Sequence, residues 1–139
     1  MRKILGGLAG IAVAVLTVML MEWISHSIYP MPAGLEITDT EALNAYLAAA
    51  PMTALLLVLA GYFIASFDGT FVACLIGRTK PHLYALFIGV LMLAGAGSNL
   101  IMFQHPTWFS VSTVVGIIAS AWLAMKLARA VLPKGADLE

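Results

Sequence analysis

The sequence predicts an all-α, polytopic membrane protein: an antiparallel bundle of four transmembrane helices with a short interfacial helix on its outer side. Composition is the first observation behind this fold, since the 139 residues are 62% hydrophobic and only 10% charged, against about 25% charged residues in soluble domains. The second is a series of four apolar runs, each close to the ~20 residues that cross a bilayer. We therefore treat residues 1–139 as one transmembrane domain.

The first span covers about residues 4–25 and begins with an uncharged run from Ile4 to Met21. That run is longer than the roughly 7–15 residues of a signal-peptide core, and no clear small-x-small cleavage site follows it. We expect a retained transmembrane helix.

The outer loop, residues 26–51, is the only long connection in the chain. Pro30 and Pro32 end the first helix, because proline fixes φ and has no amide hydrogen. The segment Thr38–Glu41 then has the spacing of a capping box. The apolar residues that follow it at helical intervals are Leu43, Tyr46 and Leu47. The loop is therefore predicted to contain a short helix that lies on the outer membrane surface.

The remaining spans cover about residues 52–76, 83–103 and 108–127. Short connections separate them, so consecutive helices should be antiparallel neighbours. Orientation follows from the positive charges, because Lys and Arg near helix ends stay on the cytoplasmic side. All seven fall on the side of the termini: Arg2, Lys3, Arg78, Lys80, Lys126, Arg129 and Lys134. We expect a multi-pass protein of the cytoplasmic membrane with both termini inside.

Small residues recur at every fourth position in two spans, which favours close approach of helix backbones in lipid. The second span carries Gly61, Ala65, Gly69, Ala73 and Gly77, and the fourth carries Ser112, Gly116, Ser120, Ala124 and Ala128. These ridges are predicted to pack helices together, within one chain or across a dimer. A shorter series in the first span consists of Gly6, Gly10 and Ala14.

Asp68 is the one charge within the second span. An ionisable side chain in the bilayer costs several kcal/mol and should face the bundle interior or water. Counting from Pro51 places it past the midplane toward the cytoplasm. Two interpretations stay open: a protonated acid that donates to a hydroxyl such as that of Ser120, or a station in a proton or cation relay.

A polar cluster is predicted at the outer end of the bundle. Its members on the first helix share one face at i, i+3, i+4 and i+7 spacing: Glu22, Ser25, His26 and Tyr29. Topology brings three more to that level: Asn99, Gln104 and His105. Glu22 and His26 could handle protons or a cation, and with His105 they could bind a metal or, through the two imidazoles, haem. The alternative is a hydrogen-bonded cluster that joins the first helix to the turn between the third and fourth spans and binds no ligand.

No phosphate-binding glycine loop, Cys-x-x-Cys pair, His-Glu-x-x-His helix or nucleophile elbow occurs in the sequence. The pattern favours a protein that is not an enzyme, and no motif requires a cofactor. Lys and Arg balance Asp and Glu at seven each, so nucleic acid is not an expected partner. Cys74 lies in an apolar run and is interpreted as a small packed side chain.

The segments Ser25–Gly34 and His105–Phe109, read as H-x-x-YP-x-P and HPxWF, resemble those of small bacterial four-span membrane proteins of unassigned activity. The resemblance covers nearly the whole chain. It implies a bacterial inner-membrane protein of four spans and singles out His26 and His105, but it implies no substrate.

Three functions remain open from the sequence. The leading hypothesis is transport or conductance of a small solute, a cation or protons by a homo-oligomer in the lipid bilayer. In this hypothesis Asp68, Glu22 and His26 bind and release the protons or the cation. The second is a metal- or haem-binding redox protein that uses His26 and His105. The third is a non-catalytic partner or assembly factor that docks through its outer loop.

Overall fold

The computed structural model of the chain describes residues 1–36 and 38–132. Lys134 and Ile37 lie outside the described residues. The described part contains five helices and no strand: α1 (Arg2–Ile28), α2 (Thr40–Ala48), α3 (Met52–Gly77), α4 (Pro81–Met102) and α5 (Thr107–Val131). All but α2 are long and apolar enough to cross a membrane. The predicted all-α bundle of four membrane helices is confirmed.

Prolines mark where three of the long helices begin. Pro51 and Pro106 are the residues before α3 and α5, and Pro81 is the first residue of α4. Proline suits these positions because its φ is already helical and the first amides of a helix have no partner within it. The turn between α3 and α4 is tight, since Arg78 and Lys80 both adopt left-handed φ values of 55° and 44°. The two helices therefore fold back on each other directly.

In the α1–α3 interface, two antiparallel helices approach each other closely through glycine and alanine residues. A Cβ placed on Gly10 would lie 2.5 Å from the carbonyl oxygen of Gly69 and 2.7 Å from Cβ of Ala73. Facing positions along the interface pair Gly6 with Gly77, Gly10 with Ala73, Ala14 with Gly69, and Met21 with Gly61. The numbers of each pair add to nearly the same value, so the two helices keep one register over this length.

α3 lies at the centre of the bundle, with α1 and α5 on two of its sides and α4 against both α5 and α3. Its contact with α5 includes a buried hydrogen bond in which Ser66 Oγ donates to the carbonyl oxygen of Ile117, at 3.0 Å. Gly116 of α5 leaves the space that the Phe63 ring occupies. The small-residue ridge of α3 therefore packs on the shorter series of α1, and the α5 ridge does not pair with it.

The two ends of the bundle differ in charge. We call the end with Arg2, Lys3, Arg78 and Lys80 the basic end, and the end with Glu36, Asp39 and Glu41 the acidic end. At the basic end α1 and α4 meet, because Tyr84 Oη donates to the carbonyl oxygen of Lys3 at 3.1 Å. Tyr84 is thereby buried between helices.

Candidate functional site

A cavity of about 470 Å³ lies at the acidic end, beneath α2 and between the halves of α1, α3 and α4 nearest that end. We call it the α2 cavity. Its polar lining residues are Glu22, Ser25, His26, Tyr29, Tyr46, Tyr62, Asn99 and His105, and the rest of its lining is apolar. Six of the seven residues predicted to cluster here line this cavity, namely Glu22, Ser25, His26, Tyr29, Asn99 and His105, whereas Gln104 is not among its lining residues. Its size falls within the range of small-molecule sites, about 300–1,000 Å³.

The depth of the cavity follows from the α1–α3 register. Met21 lies against Gly61, since a Cβ on that glycine would be 3.0 Å from Cβ of Met21. Glu22 is therefore level with Gly61 and Tyr62, about 13 Å along α3 from Met52 at 1.5 Å per residue. Gly61 leaves room here that a larger side chain would fill, and the cavity reaches this level from the acidic end.

Tyr62 and Asn99 form one polar part of the cavity wall. Asn99 Nδ2 donates to Tyr62 Oη at 3.1 Å, which joins α4 to α3. Both side chains are only partly exposed. Because the phenol accepts from the amide, its own O–H proton stays available to donate to a ligand. Tyr62 was not among the predicted site residues.

The two cavity histidines have the same local arrangement. His26 Nδ1 lies 3.0 Å from the carbonyl oxygen of Glu22, and His105 Nδ1 lies 2.9 Å from that of Phe103. A carbonyl can only accept, so each Nδ1 carries the proton and Nε2 is the ring atom available to a ligand. The His105 ring also stacks on Phe109, with 4.9 Å between centroids.

Helix α2 covers the cavity and is fixed at two points. Asn44 Oδ1 accepts a hydrogen bond of 3.0 Å from the backbone N–H of Gln104, in the turn between α4 and α5. Leu43 is buried against the bundle. At the start of α2 the cap is Asp39, whose carboxylate accepts from the N–H of Ala42, so the capping-box prediction was one residue early.

Asp68 lies outside the cavity lining, deeper in the bundle. Thr17 Oγ1 donates to Asp68 Oδ2 at 2.6 Å, and Oδ1 is buried without a hydrogen-bond partner among the described residues. The partner is therefore on α1, and the suggested Ser120 of α5 is not used. The reason is rotational: Ser66 bonds to α5, and two further residues turn Asp68 by about 200°, to the opposite side of α3.

A three-ligand metal site does not form from the predicted residues. Among residues 1–36 and 38–132, no three His, Cys, Asp or Glu side chains come together as metal ligands. Glu22, His26 and His105 share a cavity, but they do not converge on one point as such a site requires.

The remaining predicted packing residues lie in the two interfaces of α3. Ala65, Ala73 and Gly69 are buried, whereas Ser120 and Gly116 are partly exposed on α5. They set helix distances and take no part in the cavity, apart from Gly61, which lies at its deep end.

The charge of the cavity is one-sided. Glu22 is its only Asp, Glu, Lys or Arg, and every described Lys and Arg is at the basic end or on the last turns of α5. The site thus offers a carboxylate, two imidazoles, three phenols and an amide within an apolar wall. Such a set can bind a cation, exchange protons or orient an amphipathic molecule.

Tyr62, Thr17 and Asn44 were not predicted from the sequence as functional or bonding residues. Tyr62 follows Gly61 of the small-residue ridge directly, and this position was the only feature of the sequence that could have indicated its place near the cavity. Thr17 is a lone hydroxyl in an apolar helix, which often bonds across helices in membranes. Asn44 carried no such signal.

Comparison with known proteins gives no match: no family model, no curated protein and no solved structure is similar to this chain.

Proposed function

We propose that the protein transports a small solute, with protons or a cation, across the bacterial cytoplasmic membrane as a homo-oligomer. The observation that carries this proposal is the α2 cavity, which holds Glu22 and His26 and extends from the acidic end into the bundle. Polar groups within the bilayer are costly and often mark substrate or ion pathways, so a polar-lined cavity at this depth supports a pathway.

The proposed route continues from the cavity to Asp68. Val18 lines the cavity, and its neighbour Thr17 holds the Asp68 carboxyl. Asp68 is ten positions before Arg78, or about 15 Å, which is half of a ~30 Å hydrocarbon layer. A proton-accepting group deep in the bundle, about 9 Å along α3 beyond Tyr62 of the cavity, suits a relay between the two sides.

The basic half of the bundle supports alternating access. There the backbones of α1 and α3 touch through Gly6, Gly10 and Gly77, which leaves no room for a solute. The structure has the features of a form that is open at the acidic end and closed at the basic end. Transport then requires that α1 moves relative to α3.

Flux measurements test the proposal. Purified protein in vesicles with an imposed pH or cation gradient should conduct, and Asp68→Asn or Glu22→Gln should lower the flux by about tenfold or more, equivalent to ~1.4 kcal/mol. Glu41→Gln is the matched control, because Glu41 is an exposed carboxylate on α2 outside the cavity lining. Flux that is unchanged in both Asp68→Asn and Glu22→Gln would refute the proposed roles.

A second candidate function is redox chemistry with haem or a metal between His26 and His105. It is favoured by the Nδ1-to-carbonyl contacts of both rings, since ligating histidines commonly use their second nitrogen in this way. Purified protein would then show a Soret band or bound metal that His26→Ala and His105→Ala each abolish. His82→Ala, in the first turn of α4 at the other end, is the control.

A further inference from the structure

The charge of the α2 cavity selects the sign of its ligand. Glu22 is the only charged residue in the lining, apart from any protonation of His26 and His105. The nearest basic residues on α1 are Arg2 and Lys3, and Lys3 lies about 28 Å from Glu22 along the helix. The acidic end adds Glu36, Asp39 and Glu41 outside the cavity. An anion would find no counter-charge here, whereas a cation finds one.

The residues that line the cavity also determine which uncharged part of a ligand, here called its body, can bind. Aromatic rings lie on several of its sides, contributed by Tyr29, Tyr46, Tyr62, Phe103 and Phe109. The faces of such rings attract cations. Leu43, Leu47, Leu55 and Val58 complete an apolar surface. The described His, Cys, Asp and Glu residues form no group of three that could hold a metal ion, so the lining favours a ligand that is held through its apolar surface.

We propose that the α2 cavity binds a monovalent organic cation with an apolar body, such as a lipophilic ammonium or phosphonium ion. The Glu22 carboxylate compensates the charge, and the aromatic rings and leucines cover the body. This inference rests on the proposed function, since it names the substrate class of the same cavity. The volume of about 470 Å³ suits a molecule of several rings or a branched chain.

Equilibrium dialysis of the purified full chain with tetraphenylphosphonium tests the proposal. Tetraphenylborate is the matched ligand control, because it has nearly the same shape and the opposite charge. We expect the phosphonium to bind at least about tenfold more tightly than the borate. Equal binding of the two ions, or tighter binding of the borate, would overturn the proposal.

Variants assign the binding to the cavity. Glu22→Gln should weaken phosphonium binding about tenfold, and Tyr46→Leu several-fold. Glu41→Gln should leave it unchanged, and Tyr46→Phe, which keeps the ring, should retain more of the binding than Tyr46→Leu. Far-UV circular dichroism and thermal unfolding confirm that each variant is folded. Phosphonium binding that is the same in folded Glu22→Gln and Tyr46→Leu as in the wild type would place the ligand elsewhere and refute the site.

The two proposals can fail separately. Phosphonium binding that depends on Glu22, without flux of any solute or proton in vesicles, would support the ligand class and refute transport. Proton or cation flux that depends on Asp68, without phosphonium binding, would support transport and refute the ligand class.

Discussion

Asp68 shows how a single ionisable side chain is accommodated in the bundle. Its carboxyl lies in the half of α3 nearer the basic end and is joined to α1 by one hydrogen bond, from Thr17. The other carboxyl oxygen is buried without a partner among the described residues. A polar group in lipid is stabilised mainly by bonds of this kind between helices. The Thr17 hydroxyl is therefore expected to stabilise the α1–α3 pair.

The first prediction is that Thr17→Val destabilises the protein by roughly 0.6–2 kcal/mol, as measured for hydrogen bonds between membrane helices. Valine has the same shape but cannot donate, so the Asp68 carboxyl loses its partner. Reversible unfolding in mixed micelles measures the free energy. The control is Thr113→Val, because Thr113 Oγ1 is fully buried and has no hydrogen-bond partner among the described residues.

Thr113→Val should leave the free energy of unfolding unchanged or raise it, since it removes a buried polar atom that makes no bond. If both variants lose the same stability, the shape of the side chain and not the Thr17–Asp68 bond determines the effect. If Thr17→Val alone is neutral, the bond contributes nothing measurable.

The helix face on which Asp68 lies could be predicted from the sequence, but its hydrogen-bond partner could not. It lies seven residues after Gly61 and next to Gly69, beside the small-residue ridge of α3, and that ridge faces α1. Which helix would pair with the ridge depends on the competition between two small-residue series, on α1 and α5. Sequence spacing is the same in both, so only three-dimensional packing decides between them.

At the scale of elements, glycine controls how closely α1 approaches α3. The second prediction uses two glycines of α1. A Cβ on Gly10 would meet Gly69 and Ala73 at 2.5 Å and 2.7 Å, whereas a Cβ on Gly7 meets nothing within 4 Å. Gly10→Ala should thus destabilise the bundle by roughly 1–3 kcal/mol through overpacking. Gly7→Ala should be neutral or stabilising by up to about 1 kcal/mol, because alanine favours helix.

Thermal unfolding of the two variants in one detergent measures this difference. The comparison is closely matched, since both substitutions are the same and lie within one turn of the same helix. A loss of stability in Gly7→Ala equal to that in Gly10→Ala would contradict the observed interface and would indicate that α1 packs with another face.

Helix ends were predicted less well than helix existence. The first span was expected to end near residue 25, but α1 continues to Ile28 because the first proline after it is Pro30. α5 runs to Val131, beyond the predicted residue 127, since Lys126 and Arg129 can extend from a helix into the headgroup layer. Hydropathy marks the apolar core of a span, whereas the helix itself continues until a residue stops it.

At the scale of the molecule, the four-span fold follows from composition and length, and the structure agrees. The cavity does not follow from them. Its polar residues come from α1, α3, α4, the loop and the turn before α5, and whether they enclose a space depends on how far α1 and α4 separate at the acidic end. From the sequence, Glu22, His26, Asn99 and His105 could be predicted to lie at one depth in the bundle. That α2 covers the cavity and that Tyr62 lines it became clear only from the three-dimensional structure.

The third prediction concerns orientation, on which the direction of the proposed transport depends. Six described Lys and Arg residues lie at one end of the bundle or on the last turns of α5, so that end should be cytoplasmic by the positive-inside rule. Ala48→Cys in α2 and Ala130→Cys in α5 place thiols at opposite ends, on exposed residues and without a change of charge. Wild type is the control, because Cys74 is only 1% exposed.

A membrane-impermeant maleimide added to intact bacterial cells should label Ala48→Cys and leave Ala130→Cys and the wild type unlabelled. After the cells are opened, Ala130→Cys should react as well, which shows that its thiol is accessible and was protected by the membrane. The reverse pattern would place the α2 cavity on the cytoplasmic side. In that case Glu22 would bind its ligand from inside the cell, and the proposed transport would begin there.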